Sequence, residues 1–144
     1  MPAGMDNELI ELLRAVSNGF HARMQAQVAA HGSGLTTFQA RLINLIGRKE
    51  GISQVSLALY TERDKAQIAR AIKELEGRGF VTRSAHAADW RTQRLALTTE
   101  GNKIHAELNV LREELAAIAL RGVTEEEKLA LQVGLFKMKA ALDD

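Results

Sequence analysis

The chain contains no cysteine among its 144 residues. Disulfides, thiolate metal ligands and thiol-based redox sensing are excluded together. A single proline, at position 2, leaves almost nothing to break a helix from within. Aromatic residues are scarce, with four Phe, one Tyr and one Trp. The longest apolar run, "LAAIAL" at 115–120, falls far short of the roughly 20 residues that cross a bilayer. The opening stretch "MPAGMDNELIELLRAV" carries acids where a secretory signal would carry positive charge, so a soluble cytoplasmic protein is expected. No glycine loop of phosphate-cradling type and no Ser/His/acid spacing is present, so an enzyme is not expected. The four histidines, 21, 31, 86 and 105, are never three or four apart, and no zinc-like set forms around them. No metal or cofactor is expected.

What is present is a chain long enough for one domain with a real core, or for one domain plus a dimerisation layer. The net charge of +1 hides an uneven distribution. Residues 62–94 hold eight Lys and Arg against five Asp and Glu, whereas 100–144 hold six against nine. The middle of the chain suits a polyanion and the C-terminal part does not, although a solvated charged face reads the same way.

Periodicity predicts consecutive helices with one β-like interruption. Leu9, Leu13, Val16, Phe20 and Met24 step by three or four, giving a long amphipathic helix to about Ala30, stopped by "HGSG" at 31–34. Thr36 or Thr37 caps a second helix through Gly47. Ser53 caps a short third one, and Asp64 with Gln67 has the spacing of a capping box for a fourth, which Gly79 ends. "FVTRS" (80–84) and "RLALT" (94–98) are the candidate strands, with a loop between them. Thr98 then caps a helix in which Ile104, Leu108, Leu111, Leu115 and Ile118 form a coiled-coil-like seam. Thr124 and Glu127 box the last helix, which carries two apolar stripes: Leu129, Val133, Phe136 and Ala140, and Leu131, Leu135, Met138 and Leu142. One face suffices for a helix on a monomer surface. Two predict burial between the chain's own body and a second subunit.

A short helix, a tight turn, a capped helix and a two-stranded hairpin make a winged helix-turn-helix. The fold expected is therefore mainly α with a small β wing: residues 35–98 form the DNA-binding domain, and 1–34 with 99–144 form a helical dimerisation region. Taking Ile68 as the centre of the buried face, about 100° per residue turns Ala66, Arg70 and Lys73 outward with Gln67 beside them. Arginine can read guanine, glutamine adenine and alanine a thymine methyl, while the capped helix start suits phosphate. Any surface helix also shows such residues.

The order of the pieces narrows the choice. "LTTFQARLI", "ISQVSLAL", "DKAQIARAIKELEGRGFVTR" and "DWRTQRLALTTEG", followed by two long helices, together resemble the MarR family of transcriptional regulators. The most specific parts are Asp64-Lys65, Leu75-Glu76-x-x-Gly79-Phe80-Val81-x-Arg83, Asp89-x-Arg91 and Leu97-Thr98-x-x-Gly101. The resemblance implies a homodimer on a near-palindromic double-stranded operator, often released by a small aromatic or phenolic effector. It implies that Asp89 orients Arg91 toward the minor groove. The DNA-contact set is then Arg63, Lys65, Ala66, Gln67, Arg70, Lys73, Asp89, Arg91 and Arg94, with Arg94 divided between phosphate contact and a structural salt bridge. His86 falls in the wing near phosphate, and Trp90 is assigned to packing or backbone contact. Phe20, Met24, Phe38 and Leu42 are the candidate effector-pocket residues, although their helical spacing also reads as plain core. Two departures stand out. Gln67-Ile68-Ala69-Arg70 replaces the hydroxyl-rich recognition segment common in the family, and Glu62 occupies a turn position where glycine is common. The competing class, a winged-helix protein-interaction adaptor without DNA binding, would tend to present apolar residues outward.

Overall fold

The computed structural model of the chain describes residues 2–86 and 89–144, with side chains described for 4–84 and 93–144. The elements run α1 (Pro2–His31), α2 (Thr37–Arg48), α3 (Gln54–Thr61), α4 (Lys65–Gly77), β1 (Val81–His86), β2 (Asp89–Leu97), α5 (Thr99–Ala119) and α6 (Glu125–Asp143).

Short polar side chains begin the helices by satisfying amides that have no partner within the helix. Thr36 and Gln39 exchange bonds of 3.0 Å in each direction at the start of α2. Asp64 and Gln67 do the same for α4, at 2.8 and 3.2 Å, and Thr124 with Glu127 does so for α6. At the end of α4 the Phe80 amide bonds the Leu75 carbonyl and the Gly79 amide bonds that of Glu76. With Gly79 at φ +82°, this is a Schellman stop, which leaves the chain pointing directly into β1.

The turn between α3 and α4 answers the question raised by Glu62. Its backbone is left-handed, at φ 55° and ψ 35°, and among the described residues it is the one non-glycine with positive φ. A Cβ in that region costs about 1–2 kcal/mol. Glu62→Gly relieves this but loosens the unfolded chain, so the expected net gain is about 0.5–1 kcal/mol. Urea unfolding at fixed protein concentration measures it; a loss of stability would show that the exposed carboxylate, not the backbone, matters there.

The core is centred where α2, α3, α4 and α5 meet. Leu42, Ile43, Ile46, Leu57, Ile68, Ile72, Leu75, Leu95 and Leu108 are fully buried there. The strands pair antiparallel with Val81 opposite Leu97 and Arg83 opposite Leu95. Gly51 and Ile52 add a third edge through two backbone bonds with Leu95, of 3.2 and 2.9 Å. The hairpin extends further than the alternation of apolar residues indicates. β1 continues to His86 and β2 already begins at Asp89, so the described residues of the expected loop, 85–93, are strand, with an irregular register after Ala85. Beyond the core a strand has no buried face to alternate against, so backbone pairing continues without a sequence signal.

α1 is divided. Its C-terminal half packs with Met24 and Val28 buried, whereas Leu9, Leu13 and Val16 are exposed. α6 buries no residue: both of its stripes face outward, which differs from the expectation that the chain's own body covers one of them. No helix of the described residues is long and apolar enough to cross a membrane.

Candidate nucleic-acid interface

α4 is anchored along one face by Ile68, Ala71, Ile72 and Leu75. That anchoring turns Lys65, Ala66, Arg70 and Lys73 to solvent, all exposed, with Gln67 half-buried beside them. Five of the sequence-derived contact residues are thus brought onto the first turns of one helix. Gln67 has less freedom than a free amide, because its Oε1 accepts the Asp64 amide in the cap. Its NH2 group remains available as a donor.

Two arginines fix the position of the hairpin, Arg83 against α4 and Arg94 against the loop before α3. Arg83 donates through Nε to Glu76 Oε1 at 2.7 Å and through Nη1 to Gln93 Oε1 at 3.0 Å. Arg94 donates to the Gly51 carbonyl at 3.1 Å. A third arginine, Arg78, lies over the Phe80 ring and donates to the carbonyls of Ser33 and Gly34, holding the α1–α2 turn against the end of α4. The Asp89, Trp90, Arg91 and His86 side chains lie outside the described residues.

Arg63 takes a different course from the rest of the set. It occupies the turn before α4, exposed, with its guanidinium 4.5 Å from the centre of the Phe38 ring. There it borders a cavity of about 940 Å³ between α1, α2, the α3–α4 turn and α5. Phe20, Met24 and Phe38 line that cavity, but Leu42 does not. Leu42 lies on the core side of α2, fully buried. Arg41, Arg63 and Arg112 all reach the cavity, and no Asp or Glu does among the described residues. Arg41 donates to the Tyr60 carbonyl at 3.1 Å and Arg112 to Asn44 Oδ1 at 3.2 Å.

The region spanning residues 35–92 matches the MarR family model. The transcriptional regulator HosA of Escherichia coli O157:H7 is 33% identical over 85% of this chain and 82% of its own length. The chain belongs to the MarR family of transcriptional regulators. Its members are DNA-binding regulators and not enzymes. The HTH-type transcriptional regulator BilQ of Clostridium symbiosum (strain WAL-14163) is 36% identical over 65% of each chain. A MarR family regulator from Listeria monocytogenes, solved in complex with a 26mer DNA, superposes with a TM-score of 0.81 at 22% identity, covering 92% of this chain and 87% of that one.

Within this MarR-family frame, the junction of α2 and α5 holds His105, which sequence spacing considered only as a metal ligand. The His105 ring fills the space over Gly47, where a Cβ would be 2.8 Å from it, and its Nδ1 is buried without a partner. Burial, then Arg112, then Arg48 hold its pKa below the usual 6.5. Burial, then Arg48, also lowers that of Arg112. The unfolded chain therefore takes up a proton at His105 at a higher pH than the native state does. The stability associated with neutral His105 is complete above pH 6.5 and is lost as pH falls from there toward the lower native value. The urea midpoint is expected to fall over that window, and His105→Gln is expected to flatten the fall. An unchanged pH slope in the variant would remove His105 as its source.

Proposed function

We propose that the chain is a homodimeric, ligand-responsive repressor that binds a near-palindromic operator. The observation that carries this reading is the outward face of α4. Exposed Lys65, Ala66, Arg70 and Lys73 stand at the capped end of a helix whose opposite face is locked into the core. A rigid cylinder with a basic outer face fits a major groove, and its N-terminal amides add a phosphate site. The same face argues against the adaptor reading, which calls for apolar residues there.

In this reading residues 35–98 are the DNA-binding domain, and 1–34 with 99–144 form the dimerisation region. The exposed stripes of α1 and α6 support that division. Asp89 orients Arg91 toward the flanking minor groove, where a narrow groove concentrates negative potential. The link from Arg83 to Glu76 supports this role by holding the wing's base against α4. Two-fold symmetry places the half-sites about 34 Å apart. Repression follows from excluding polymerase. The cavity beside Phe20, Met24 and Phe38 takes a small aromatic or phenolic effector, which acts by favouring a conformation with displaced recognition helices. A protein acting on operators in this way works in the cytoplasm.

The test is equilibrium binding to the DNA upstream of its own coding sequence across a salt series. Affinity is expected to fall steeply with salt, and Arg70→Ala is expected to cost about 1–3 kcal/mol while relaxing the preference at one base position. A flat salt response, or no protected site on that DNA, would sink the DNA reading.

A further inference from the structure

Arg63 stands at two places at once. Its backbone is in the turn between α3 and α4, one residue before the Asp64 cap and two before α4 begins. Its guanidinium lies on the Phe38 ring at the edge of the cavity. Among the described residues no carboxylate lies within salt-bridge distance of it. The stacked ring leaves the guanidinium's in-plane N–H donors free, and such donors favour carboxylate or phosphate oxygens.

Two kinds of anion compete for those donors. One is a DNA phosphate, because the start of α4 is the end that approaches the duplex in the reading above. The other is an anion inside the cavity. The cavity offers Phe20, Met24 and Phe38 as apolar wall, three arginines as cations and no lining carboxylate to neutralise them. Arg41 and Arg112 are already oriented by Tyr60 and Asn44 and do not lie next to α4 in the chain. Arg63 is the member of the three that adjoins the recognition helix.

We propose that Arg63 is a shared anion receptor. An apolar organic anion in the cavity binds it and withdraws it from the DNA phosphate, so ligand and operator exclude one another through one side chain. This deepens the effector reading of the cavity and rests on it. The conformation the ligand favours is then one in which Arg63, at the start of the recognition helix, is drawn to the cavity, so each protomer loses one charge-assisted contact there. A neutral compound of the same shape fills the cavity but leaves Arg63 on the DNA.

The experiment uses 2-naphthoate and its neutral analogue 2-naphthamide. Ligand binding is followed by calorimetry, and binding to an operator duplex selected from a randomised pool is followed across a salt series. Naphthoate is expected to bind at least tenfold tighter than naphthamide. It is expected to make the slope of log affinity against log salt shallower by about 0.9 for each Arg63 withdrawn. Arg63→Gln alone is expected to produce that same shallower slope, with naphthoate causing no further change. Arg63→Lys keeps the charge and is expected to restore the unliganded slope, which a misfolded turn would not do. If naphthoate binds but still releases DNA from Arg63→Gln, the cavity reading stands and the shared-arginine proposal falls. The proposal also falls if Arg63→Gln keeps the wild-type slope, or if the amide binds as tightly as the acid. Absence of binding by both compounds would remove the cavity reading, and the proposal with it.

Discussion

Replacing Gly101 with alanine is expected to destabilise the protein by about 3 kcal/mol or more, a large share of the roughly 5–15 kcal/mol that holds a domain of this size. Gly101 is buried in the first turn of α5, and its amide donates to the capping Thr98 Oγ1 at 3.0 Å. A Cβ there would overlap the Phe80 carbonyl oxygen and press within 3.2 Å of the Leu97 Cβ. That carbonyl cannot yield cheaply, because it accepts the Thr98 amide at 3.0 Å. Phe80 also closes the Schellman stop of α4, and Thr98 Oγ1 donates to the Gly79 carbonyl as well. The end of the recognition helix, the base of the wing and the start of α5 therefore meet at one backbone crossing. Gly77 provides the contrast. It is helical, with nothing within 4 Å of a Cβ built on it, so Gly77→Ala is expected to stabilise by up to about 1 kcal/mol. Urea unfolding of both variants gives opposite signs. A shift of under about 1 kcal/mol for Gly101→Ala would mean that α5 can slide off Phe80 without loss.

Features of this junction show what the sequence could and could not reveal. Thr98 and Gly79 were legible as a cap and a stop, because local hydrogen-bond chemistry restricts those positions to a few residue types. Glu62 stood out only as a departure from the glycine common in the family, which left open whether the turn stays left-handed. The exclusion of a side chain at Gly101 was not legible, since it depends on where Phe80 lies, 21 residues earlier in the chain. The same limit hid the ion pair of Arg83 with Glu76, the Arg78 tie to Ser33 and Gly34, and the stacking of Arg63 on Phe38. A long charged side chain reaches partners that only the tertiary fold brings near. Leu42, which reads either as pocket or as plain core, lies in the core, and the ambiguity has a related cause. Periodicity identifies an apolar face but not which part of it meets a neighbouring helix and which part borders a cavity.

Charging the exposed stripe of α6 is expected to abolish dimerisation and, with it, nearly all operator affinity. Leu131, Leu135 and Leu142 are at least 43% exposed on one side of α6, and Leu129, Val133 and Phe136 at least 52% on the other. The α1 residues Leu9, Leu13 and Val16, with Ile118 on α5, are left uncovered as well. Scattered apolar residues on a surface need no explanation, but continuous stripes on several helices indicate a partner face. In the homodimer proposed above, a second copy of the chain would cover it through a two-fold interface in which the same helices meet themselves. In the double variant Leu135→Asp with Phe136→Asp, two carboxylates per chain would have to be desolvated at that interface. Burying a charge without a partner costs several kcal/mol, which opposes association. The protomer itself keeps its helices, because its core of Leu42, Ile43, Ile46, Ile72 and Leu108 includes no α6 residue. Sedimentation should show a monomer, and far-UV circular dichroism should show retained helix. Operator affinity is expected to drop by about 10²–10⁴-fold, since the two recognition helices no longer share an effective concentration. A variant that still sediments as a dimer would place the interface elsewhere. One that is monomeric yet binds the operator undiminished would show that a single α4 is sufficient.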